Sequence, residues 1–197
     1  MNIKALLLSL VFVITAIALA FISPAEATLG VNARIVYLHG AWVWAALIGF
    51  IAAGLAGAAG LLTRREKLGL GSRALARSGL VFWITYLPIS LWAMQTNWNG
   101  LFLAEPRWRI ALIFAVGGTL LQIGLTLIEK PIWDSLINPI FVLALFGVLQ
   151  TTEKVLHPPS PMLDSQAWRI QTFFAGQTLF LTLAVFQLAR WFYSLKR

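Results

Sequence analysis

Six stretches of this 197-residue chain are apolar and long enough, or nearly so, to cross a bilayer as helices. A crossing takes about 20 residues, because the hydrocarbon layer is roughly 30 Å thick. The stretches run at about 5–23, 36–62, 77–96, 109–128, 133–151 and 170–191, and no polar segment between them is long enough for a separate soluble domain. Inside hydrocarbon every backbone N–H and C=O must find its partner within the protein, and a helix provides this locally. The pattern therefore predicts an all-α, polytopic integral membrane protein forming one six-helix domain over residues 1–197. Composition agrees: 59% of the residues are apolar, 11% are charged and the mean hydropathy is +0.82. A soluble domain of this size needs more polar surface than that. The fifth stretch is the least regular, because Asp134, Asn138 and Pro139 interrupt its start.

The first stretch has two readings. Lys4, an apolar run and Pro24-Ala25-Glu26-Ala27 resemble a signal peptide with a small-x-small cleavage site. The run from Ala5 to Ile22 exceeds the roughly 7–15 residues of a signal core, however, which favours a retained helix. In the second stretch Gly49, Gly54, Gly57 and Gly60 recur with small neighbours, as they do where helices approach closely in membranes. Packing within the chain is the expected use, ahead of a dimerisation face. Pro88 is expected to kink the third helix, its freed carbonyl satisfied by a neighbour.

Basic residues set the orientation. With the N-terminus inside, the cytoplasmic segments carry ten basic and three acidic residues, a net of +7, and the outer segments carry five and four, a net of +1. The positive-inside rule selects this arrangement, with both termini cytoplasmic in a bacterial-type inner or plasma membrane. The overall charge of +8 thus reports topology and does not call for a nucleic-acid partner. The absence of cysteine excludes disulfides, thiolate metal sites and covalent haem attachment to this chain. No phosphate-cradling glycine loop, His-Glu-x-x-His motif, nucleophile elbow or mid-membrane acidic pair is present, so enzymatic hydrolysis and ion-coupled transport lack visible machinery.

The outer segments are richer. His39 lies at the outer end of the second helix, close to Arg34 and Trp42, and His157 lies between the fifth and sixth helices. The segment between the third and fourth helices holds Trp98, Arg107, Trp108 and Arg109. Neutral imidazole is a good axial ligand for haem iron, and two from different helices can clamp it. Arg34, Arg107, Arg109 and Arg169 can pair with propionates through forked hydrogen bonds, and flat aromatic faces can pack on the ring. The same residue types have plainer uses, since tryptophans anchor interfaces and arginines snorkel to headgroups whatever the function.

The order of these features resembles the haem-handling membrane proteins of cytochrome c maturation (the CcmC-like, WWD family), with this chain as a divergent member. Arg34, Ile35, Tyr37, His39 and Trp42 correspond to the family's first histidine segment, and Leu156-His157 to its second. Trp98 to Arg109 occupies the place of its tryptophan-rich segment, of which Trp98 and Trp108 remain, with Glu105-Pro106-Arg107 where Trp-Asp-x-Arg is expected. The resemblance implies haem b held at the outer face, with His39 and His157 as axial ligands and Trp98 to Trp108 as the platform. It further implies transfer to a haem chaperone or apocytochrome c alongside other membrane assembly subunits, binding rather than bond-making at a residue. Two alternatives share the same residues: a b-type haem or quinone-site subunit of an electron-transport complex, and a non-haem structural or transport subunit.

Overall fold

The computed structural model describes residues 2–153, 155, 162 and 166–195. Its helices are α1 (Ile3–Ile22), α2 (Ala33–Thr63), α3 (Glu66–Trp98), α4 (Pro106–Ile128), α5 (Pro131–Thr151) and α6 (Trp168–Ser194). Each is long and apolar enough to cross a membrane, as in an integral membrane protein. The helices alternate in direction, so the starts of α2, α4 and α6 share one end of the bundle with His39. That end is called the histidine end here. Both termini lie at the other, where the Asn2 N–H donates to Ser194 Oγ at 2.8 Å.

The helix boundaries follow local chemistry. Pro106 and Pro131 open α4 and α5 at positions where a missing N–H costs nothing. Arg64, Asn99 and Glu129 close α2, α3 and α4 in the left-handed conformation, with φ of 54°, 53° and 58°. The third helix begins eleven residues before the span expected from hydropathy, and residues 66–76 are helical too. At about 1.5 Å per residue α3 is roughly 50 Å long, so it tilts or extends past the hydrocarbon. The fifth span is not broken either. Asp134, Asn138 and Pro139 all lie within α5, and Asp134, Ser135 and Asn138 face the bundle interior.

α2 and α3 form the centre, with α5 and α6 packed on both and α1 laid along α6. Ser9 Oγ donates to the Ala184 carbonyl, and Phe12 and Phe180 meet at 6.1 Å, so α1 is a packed element of the bundle. The α2 glycines do serve packing within the chain. A Cβ on Gly49 would lie 2.8 Å from Val185 and 3.2 Å from the Gly79 backbone. Pro139 lacks the N–H that would pair with the Ser135 carbonyl. That oxygen sits 3.0 Å from where a Cβ on Gly57 would be, so the bare glycine admits the altered turn of α5. Closer still, a Cβ on Gly69 would come within 2.5 Å of the Pro131 carbonyl and 2.8 Å of Ser135 Oγ. Gly69→Ala is therefore expected to lose about 1–3 kcal/mol through overpacking. Gly124 has nothing within 4 Å of such a Cβ, and Gly124→Ala should stay within about 0.5 kcal/mol of the parent in a detergent melt.

Candidate ligand site at the histidine end

Most of the residues singled out in the sequence do gather at the histidine end, in different roles. His39 is half-buried in the second turn of α2, its ring 5.6 Å from that of Tyr86 on α3 and tilted by 54°. Next to it, a Cβ on Gly40 would lie 3.2 Å from the Phe174 ring of α6. The start of α6 thus packs within one residue of His39. His157, in the segment between α5 and α6, lies outside the described residues.

α4 joins this level through α3. Trp83 Nε1 donates to the Ala111 carbonyl at 3.0 Å, and the Trp83 and Tyr86 rings meet edge-on at 4.9 Å. α3 runs toward the histidine end and α4 runs away from it. One turn beyond this bond therefore lie Tyr86 on α3 and Trp108 on α4, at the level of His39. Trp108 is packed against the core, and its Nε1 has no hydrogen-bond partner among the described residues. Arg107 Nε and Glu105 Oε2, beside it at the start of α4, are buried and also without a partner among the described residues. So is the hydroxyl of Tyr37, a fully buried side chain. Buried polar groups in folded proteins nearly always have partners, so these atoms are open to a further hydrogen-bonding partner, as are Gln177 and Trp191 Nε1 elsewhere in the bundle.

Other candidates are committed elsewhere. Trp42 is buried, its Nε1 donating to Thr85 Oγ1 at 3.0 Å and its ring against Phe82, so it belongs to the α2–α3 core. Arg34 Nε donates to the Ser23 carbonyl and ties the α1–α2 connection to α2. In that connection the Glu26 carboxylate accepts from the N–H groups of Thr28 and Leu29, both at 2.8 Å. Those bonds hold its carboxyl below the usual range. Their small contribution is present above the ordinary carboxylate pKa and fades as pH falls through the lowered one. Arg109 Nε donates to the Leu103 carbonyl and braces the α3–α4 loop. Trp98 is the last residue of α3 and half-buried.

A second polar assembly, at the opposite end, did not stand out in the sequence. Arg73 and Asp134 enter the sequence reading only among the charges on the cytoplasmic side, and Asp134 as an interruption of the fifth stretch. Both are buried, at 2% and 0% exposure, in a two-pronged ion pair between α3 and α5. Arg73 Nε reaches Asp134 Oδ1 at 2.5 Å and its Nη2 reaches Oδ2. Beside them Gln122 donates to Asn138, Asn138 to Ser72 and Ser72 to the Ala53 carbonyl, linking four helices. Each of these polar residues alone looked like an interruption, and only pairing across helices makes them tolerable. Because the pair is neutral, removing it from the charge count leaves the balance between the two ends unchanged.

No protein-family model matches the chain, and no curated protein or solved structure matches it either.

Proposed function

We propose that the chain binds haem b at its histidine end and hands it to an acceptor during c-type cytochrome assembly. His39 and His157 are the axial ligands in this reading. The observation that carries it is the pair of buried, unpartnered donors Arg107 Nε and Trp108 Nε1, at the level of the His39–Tyr86 ring pair. A ligand that is apolar across its face and anionic at one edge answers Arg107 Nε and Trp108 Nε1 together, though not the buried Glu105 Oε2. Imidazole offers a lone pair to iron, Tyr86 and Trp108 offer ring faces, and the α4 start offers N–H donors and positive dipole to carboxylates. The donor set therefore fits haem. Trp42, expected from the sequence among the haem contacts, has its Nε1 on Thr85 and its ring against Phe82.

Haem supplies the iron, and this chain's residues hold and orient it without bond-making of their own. The charge balance supports placing this end outside a bacterial-type membrane, facing a haem chaperone or apocytochrome c. Titrating the purified protein with haem is expected to give a Soret band, and Arg107→Ala should weaken retention about tenfold, as loss of a hydrogen bond to a charged group would. A spectrum indistinguishable from that of free haem in the same detergent would sink the proposal. Haem that stays bound through purification and is never released to an apocytochrome would favour the electron-transport alternative.

A further inference from the structure

The terminal end has a site of its own. A groove of about 430 Å³ opens between α3 and α6, beside Asn2 at the cap of α1. Its floor is Gly71, Ala74, Leu75, Phe186 and Ala189, and its rim is Asn2, Arg190, Tyr193 and Ser194. A smaller void adjoins it, sharing Ala74 and Tyr193 and lined also by Arg73 and Arg77. The Ser78 Oγ to Val185 carbonyl bond, 2.6 Å, sets the register of antiparallel α3 and α6 and brings Arg73 level with Arg190.

Two facts about charge select the occupant. Arg77 donates to Thr126 Oγ1 and Arg190 to Gln187 Oε1, both neutral oxygens. Among the described residues neither arginine has a carboxylate partner. Arg73, 2% exposed, gives two of its nitrogens to Asp134, its Nη1 has no partner among the described residues, and the residue lines the smaller void. A nearly buried guanidinium donor is costly to leave unmade, and it calls for an acceptor. An apolar floor beside Arg190, near the end of α6, and Arg77, neither of them in a salt bridge among the described residues, matches a chain below a phosphate.

We infer that this groove seats an anionic phospholipid, its acyl chain along Gly71, Ala74 and Phe186 and its phosphate among Arg77, Arg190 and the Arg73 Nη1 side. Such a lipid would bridge α3 and α6 beside the cap of α1, at the end where both chain termini lie.

The test uses the full-length protein in mild detergent, melted with added phosphatidylglycerol, phosphatidylcholine or inorganic phosphate. Phosphatidylglycerol alone should raise the melting temperature. Arg77→Gln and Arg190→Gln should each weaken its apparent affinity by about fivefold, the effect expected of one basic residue at an anionic membrane surface. Gly71→Leu is the second probe. A Cβ there meets nothing within 4 Å, so the protein should fold as well as the parent while the groove is filled and the phosphatidylglycerol shift is lost. Equal shifts with phosphatidylcholine, or a shift undiminished in Gly71→Leu, would overturn the lipid site. The same protection from inorganic phosphate would also overturn it, identifying a soluble anion instead.

Discussion

Replacing Asp134 with alanine should remove about 3–5 kcal/mol of stability, the largest loss expected from any single substitution at the terminal end. The reason lies in what is left behind. Arg73 stays 2% exposed in the bundle with its Nε and Nη2 donors unmatched, and a lone charge there is far more costly than a missing contact. Arg73→Met should behave similarly, stranding the carboxylate. The combination Arg73→Met with Asp134→Leu should recover most of the loss, since a buried pair replaced by apolar groups of similar volume is often close to neutral. The cycle of single and double variants, read by denaturant or thermal unfolding in one detergent, gives the coupling directly. Single variants within about 1 kcal/mol of the parent would mean that water reaches the pair and that it adds little.

That ion pair also shows where a sequence stops being legible. The six helices were readable because the bilayer imposes one length and one backbone solution on every crossing. The use of the α2 glycines was readable for a related reason, since small residues in a crossing helix have few other purposes. The extent of α3 was not readable. Lys67, Arg73 and Arg77 lower its hydropathy, and a scale that scores residues singly cannot know that Asp134, 61 positions later, neutralises one of them. Pro139 misled similarly, because the feature that accommodates it, Gly57 facing the Ser135 carbonyl, lies on another helix. At the histidine end the residue types were visible but their duties were not. Arg107 and Arg109 are two positions apart, yet one has an unpartnered buried Nε while the other braces a loop carbonyl. Tyr86 was overlooked as the partner of His39. An aromatic two residues before Pro88 carries no signal until the register of α2 against α3 is known.

His39→Gly should shift and weaken the Soret band of the protein at equimolar haem, and millimolar imidazole should bring much of the parent spectrum back. The glycine variant separates two roles that alanine alone would merge. If His39 ligates iron, the cavity left by the ring admits a free imidazole that supplies the same lone pair, and the absorption returns without a covalent link to α2. If His39 serves only as packing for Tyr86, the variant should lose some thermal stability, bind haem as the parent does, and ignore imidazole. Packing is also why the structural cost should stay modest: the ring is only half-buried and its neighbour Gly40 already lies close against Phe174. His157→Gly supplies the matching arm. If both residues hold haem, each single variant should move the band and the double variant should lose the bound spectrum. A band that moves for His39→Gly and not for His157→Gly would retain a haem site at the α2–α3–α4 level while removing His157 from it. Haem would then be held from one side by the protein and left open on the other, the arrangement from which a client's own ligand could most readily take it.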